Sequence, residues 1–74
     1  HLRPASALVK LASQYDQCEI SLTKDEQTVN AKSIMGVIML AAEFGSILDI
    51  KANGEESEKA VLAIVELIES GFGE

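Results

Sequence analysis

The sequence predicts an α+β fold, an open-faced sandwich with helices packed on one face of a small antiparallel sheet. Three observations predict it. Three segments place apolar residues at helical spacing, and three shorter ones read as strands. Their order, α-β-β-α-β-α, suits antiparallel strands with helices segregated to one side. Finally, 74 residues with 47% apolar content allow one domain, residues 1–74, around one core. A chain of this size buries only roughly 60% of its unfolded surface, so its stability margin is thin.

The first element reads as a helix. Pro4 suits a first turn, where its missing N–H costs nothing. Leu8, Leu11, Ala12 and Tyr15 follow as one apolar stripe. Cys18 to Thr23 then alternates, with Cys18, Ile20 and Leu22 on one face. A polar turn at Lys24–Glu26 leads to a second strand, Thr28–Ala31, although the hairpin lacks the Asn-Gly turn signal.

Ser33 stands where a helix N-cap belongs. The helix it opens runs from Ile34 to about Glu43 and stops before Gly45. Ser46–Ala52 alternates again, with Leu48, Ile50 and Ala52 on one face, and Asn53-Gly54 reads as a turn. Glu55, Glu56 and Glu58 favour the start of a last helix, because negative charge complements a helix N-terminus. Val61, Ile64, Val65 and Ile68 form its buried stripe, and Gly71 ends it.

Composition excludes several functions. Twelve acids against six bases give a net charge of −6, which argues against a non-specific nucleic-acid binder. Residues 1–37 are balanced, and the whole surplus lies in residues 38–74. No apolar run approaches the ~20 residues of a membrane span, and the opening residues lack the basic-then-apolar pattern, so no signal peptide is expected. A lone cysteine, Cys18, fits a reducing cytoplasm, and its place is a small buried strand residue. One His and one Cys cannot supply the four ligands of a usual zinc site, so no metal or other cofactor is expected. No pair of carboxylates has a spacing that argues for acid–base catalysis.

Three segments carry a resemblance. They are the opening His1-Leu2-Arg3-Pro4-Ala5, the internal Lys32-Ser33-Ile34-Met35-Gly36-Val37, and the ending Gly71-Phe72-Gly73-Glu74. The first resembles the active-site segment of HPr, the histidine-containing phosphocarrier family of the bacterial sugar phosphotransferase system. The second resembles the segment around that family's regulatory serine, and the third its common tail. The resemblance spans the whole chain and implies the HPr-like sandwich. The family fold has a further strand before the histidine, beside the strand expected at Ser46–Ala52. About a dozen more residues are therefore expected upstream.

The resemblance implies a carrier without independent turnover. His1 would accept phosphate from enzyme I and donate it to IIA domains, with phosphoenolpyruvate as the ultimate donor. A neutral imidazole nitrogen is a good nucleophile, and a helix N-terminus disfavours imidazolium while offering free N–H groups to a phosphate dianion. Arg3 adds a guanidinium fork that matches phosphoryl oxygens. Ser33 would be the regulatory phosphorylation site of an HPr kinase/phosphorylase, directing the protein toward a catabolite-control transcription factor. A phosphate at that N-cap is favourable by ~0.3–1 kcal/mol, so it acts by charge rather than by unfolding.

Val37, Leu40 and Ala41 form the core stripe of the second helix, whereas Ile34, Met35 and Ile38 fall off it. With Leu2, Arg3 and Ser6 they resemble the family's docking face. Lys10 and Lys32 are candidates for steering acidic partners. A competing reading is a regulatory binding module, a paralogue in a nitrogen-related phosphotransfer branch or in catabolite control, that acts through its phosphorylation state.

Overall fold

Alternation in the first strand organises the molecule. In the computed structural model, which describes residues 2–41 and 49–71, β1 (Cys18–Lys24) lies between β2 (Gln27–Asn30) and β3 (Asp49–Gly54). Both pairings are antiparallel. Leu22 sits opposite Val29 on one side and Ile50 on the other, and Ile20 sits opposite Ala52. This face is apolar. The other face pairs Ser21 with Asn30 and Lys51, Thr23 with Thr28 and Asp49, and Glu19 with Asn53. A hydroxyl–hydroxyl bond of 2.8 Å joins Thr23 and Thr28 there. One greasy and one polar face is what a sheet covered on a single side requires.

The helices cover the apolar face. They are α1 (Leu2–Ser13), α2 (Ile34–Ala41) and α3 (Ser57–Glu69). Ala5, Leu8 and Ala12 of α1, Val37 and Leu40 of α2, and Ala60 and Ile64 of α3 meet Cys18, Ile20 and Leu22 in one core. α1 packs against both other helices, α3 lies over β1 and β3, and α2 lies beside β2. Among the described residues nothing pairs with the outer edge of β3. No helix of the described residues is long and apolar enough to cross a membrane.

The predicted elements form, with shifted ends. Pro4 lies in the first turn of α1, as expected. Tyr15 lies beyond the helix, half-buried against the core. The hairpin turn is two residues, Asp25 and Glu26, both at positive φ (49° and 68°). Such a turn matches the twist of the flanking strands, so Lys24 joins β1 and β2 begins at Gln27. Lys24 shares the inward parity of Leu22 and is buried, with its ammonium 3.3 Å from Asp25 Oδ2.

Asn53 and Gly54 are not a turn. They are the last rungs of β3, opposite Glu19 and Cys18, and the chain reverses at Glu55–Glu56. Gly54 has φ 117°, and a Cβ there would lie 2.2 Å from the Gln17 carbonyl oxygen. Close approach of two backbones, rather than chain reversal, requires this glycine. In α3, Ala60 and Ile64 are fully buried, while Val61, Val65 and Ile68 are half-buried at the edges of the stripe. Gly71, at φ 71°, ends the helix by donating its N–H to the Ile68 carbonyl at 3.1 Å. The predicted end of the second helix near Glu43 and Gly45, and the strand residues Ser46 to Leu48, lie outside the described residues.

Candidate functional site

The N-terminal turn of α1 has an open side. Burial of Ala5, Leu8 and Ala12 fixes the helix against the core, which leaves Arg3 and Ser6 exposed. No acidic residue lies in the first turn, so α1 itself supplies no charge that offsets the positive end of its dipole. Pro4 has no N–H to contribute, and its neighbours keep theirs. An anion is the natural guest of such a terminus, and the Arg3 guanidinium adds a bidentate donor. Leu2 is the first residue of α1. His1 and the side chain of Leu2 lie outside the described residues.

The start of α2 is built differently. Ser33 is half-buried, and its hydroxyl oxygen accepts the Gly36 N–H at 3.2 Å. Its carbonyl accepts the Val37 N–H at 2.9 Å. This is the predicted N-cap, closed on the third residue of the helix. Gly36 lets the helix approach β2, since a Cβ there would meet Val29 Cβ at 3.1 Å.

Val37 and Leu40 are buried as predicted. Ile34 and Ile38 are each 37% exposed, and Met35 is 70% exposed. Met39, at 63%, extends this apolar surface and escaped the sequence reading. Its position four residues after Met35, on the same face of one helix, was the available signal. Because α1 and α2 pack together, the exposed Arg3 and Ser6 belong to the same helical layer as this surface.

Lys32 is not a solvated steering charge. It is half-buried, and its ammonium donates to the Tyr15 carbonyl at 2.7 Å and the Cys18 carbonyl at 2.5 Å. Lys10 is exposed. Cys18 is buried, as its strand position predicts, with its thiol turned to the Glu55 carbonyl.

Comparisons with known proteins point one way. Residues 1–70 match the family model described as the PTS HPr component phosphorylation site. The phosphocarrier protein HPr of Treponema pallidum is 43% identical over the whole of this chain and 83% of its own length. That of Neisseria meningitidis is 38% identical over the whole chain and 82% of its own. Among solved structures, HPr-C-His from Thermoanaerobacter tengcongensis is 44% identical with a TM-score of 0.91, covering all of this chain and 82% of that one. The catabolite repression containing protein Crh of Bacillus subtilis is 33% identical with a TM-score of 0.85, covering 95% and 79%. Sequence, backbone and a segment match that begins at His1 thus agree, and the chain belongs to the HPr family, the phosphocarriers of the phosphotransferase system.

Proposed function

We propose that residues 1–74 form one carrier domain whose His1 takes a phosphoryl group from enzyme I and gives it to IIA domains during sugar uptake in the cytoplasm. The observation that carries this reading is the family match across His1-Leu2-Arg3-Pro4 at the opening of a helix with an acid-free first turn and an exposed Arg3. In the forward step a neutral ring nitrogen attacks phosphorus, and a P–N bond forms as the bond to the donor breaks. Little covalent chemistry is asked of the protein, so positioning and charge stabilisation dominate. Arg3 and the free N–H groups of the first turn hold the phosphoryl oxygens, and the same contacts serve donation in reverse.

Leu2, Ser6, Ile34, Met35 and Ile38, extended by Met39, form the surface that enzyme I and the IIA domains cover. The exposed apolar side chains of Ile34, Met35, Ile38 and Met39 mark a partner site by their chemistry. Ser33 lies at its border, so a phosphate on its hydroxyl places about two negative charges beside the docking surface. The Oγ that would receive the phosphate already accepts the Gly36 N–H of the first turn, a placement that suits a dianion. An HPr kinase/phosphorylase is the enzyme this site would require, and a catabolite-control transcription factor is the partner the modified form would reach.

A second reading has its own support. The likeness to Crh, a protein named for catabolite repression, supports a regulatory module that acts through its phosphorylation state, whereas the retained His1 argues for the carrier. One experiment separates the two. The protein is incubated with phosphoenolpyruvate and enzyme I, and the product is tested for an acid-labile, alkali-stable phosphate. The carrier reading expects that phosphate on the wild type, none on a folded His1→Ala variant, and slower acceptance by Ser33→Asp. Normal transfer by His1→Ala overturns it, and no transfer to wild type moves the assignment to the regulatory module.

A further inference from the structure

We infer that Lys32 is a positioning residue for the partner surface at the start of α2, acting as a clamp between the end of the α1 region and the Ser33 cap. The inference rests on the carrier reading for its functional consequence, and on the hydrogen bonds of Lys32 for its geometry.

The Ala31 N–H donates to the Ile20 carbonyl at 2.9 Å, one step past the end of β2. In an antiparallel ladder the carbonyl two residues earlier on β1, that of Cys18, faces the same side. By then the chain has left β2, and no strand residue stands opposite. The Lys32 ammonium takes that place at 2.5 Å. Its second bond, at 2.7 Å, goes to the Tyr15 carbonyl, which also accepts the Cys18 N–H at 3.0 Å. One side chain therefore extends the ladder and fastens the connection that follows α1.

The other end of Lys32 is equally fixed. Its N–H donates to Asn30 Oδ1 at 2.8 Å, and the Ser33 N–H donates to the Asn30 carbonyl at 3.0 Å. The cap at Ser33 follows at once. The first turn of α2 has no intrahelical acceptors for its N–H groups, so its placement depends on the cap and on tertiary contacts. Its cap is internal to the segment, so it shapes the first turn without anchoring it. Beside the Ala31–Ile20 backbone bond, the ammonium is the side-chain tie that anchors this turn to the body of the protein among the described residues. An Arg or Lys at this position that merely attracted acidic partners would stand in solvent, whereas Lys32 is half-buried.

The test compares Lys32→Met, which removes the donors, with Lys32→Arg, which keeps them, and with Lys10→Met, which removes an exposed charge. Lys32→Gln, with one donor group, stands in if the Met variant does not fold. Phosphorylation by enzyme I is followed at low and high salt, alongside amide hydrogen exchange. Lys32→Met should raise KM about three- to tenfold with little change in kcat, and the rise should persist in high salt. Exchange should quicken at Gly36 and Val37 but not in α3, and Lys32→Arg should restore both readouts. An unchanged KM, a rise that salt abolishes as it would for a steering charge such as Lys10, or faster exchange across α3 as well would each overturn the assignment. If wild type accepts no phosphate, the carrier reading fails by itself, and exchange at Gly36 and Val37 still decides whether Lys32 is a clamp.

Discussion

α2 and α3 meet the same core with opposite chemistry. α3 runs 13 residues and turns Ala60 and Ile64 inward while Glu58, Lys59, Glu66 and Glu69 face water. Leu62 is its one large exposed apolar side chain among the described residues. The described part of α2, Ile34–Ala41, carries no charge, buries Val37 and Leu40, and leaves Ile34, Met35, Ile38 and Met39 exposed. Their starts differ too. Ser33 closes its side chain on α2, whereas α3 follows Glu56 at φ 63° with no side-chain cap bond. A long amphipathic helix tolerates an imperfect start, because many packed residues hold it. α2 closes instead on the Ser33 cap, and its outward apolar surface is left free of the core.

The largest expected effect tests whether the two exposures mean what they appear to cost. Ile64→Ala should lose about 2–5 kcal/mol of stability, the range for a buried aliphatic side chain cut to alanine. Met35→Ala should stay within about 0.5 kcal/mol, as a surface change does. Denaturant titration of both decides it, and equal losses would place Met35 in the core and dissolve the contrast. Next, Ser33→Ala should cost about 1 kcal/mol by leaving the Gly36 N–H without its acceptor. Faster exchange at that amide would accompany the loss.

Smaller still is Glu56→Gly. A left-handed conformation strains a residue with a Cβ, so glycine should gain stability there, by less than about 1 kcal/mol once its greater freedom in the unfolded chain is counted. A destabilised variant would mean that the Glu56 side chain supports α3 after all. Last, Leu62→Gln should leave stability within about 0.5 kcal/mol and phosphoryl acceptance unchanged. Slower acceptance in that variant would extend the partner surface onto α3.

Particular residues mark how far the sequence could be read. Alternation placed Cys18, Ile20 and Leu22 inside, and all three are buried. The same parity applied to Lys24, but its charge argued the other way, and the position prevailed. Ser33 was legible as a cap because the signal is local: a hydroxyl residue directly before a helical run. Asn53-Gly54 carried turn chemistry, yet the glycine answers to the Gln17 carbonyl, which is distant in sequence. Of the candidate site, Arg3, Ser6, Ile34, Met35 and Ile38 were legible and are exposed, while Met39 and the bonds of Lys32 were not.

By itself the sequence determined the order of elements, the inward face of each strand, the cap of α2 and the family. Each follows from periodicity or from residue types within a few positions, which neighbouring atoms enforce before any long-range contact forms. Tertiary structure decided the rest. Met39 does not mark its side by residue type, and the packing of α1 and β2 around α2 decided that it joins Ile34, Met35 and Ile38 on the open face. Lys32 bonds to carbonyls 17 and 14 residues earlier in the chain, and a flexible ammonium finds such partners only when folding brings them within reach.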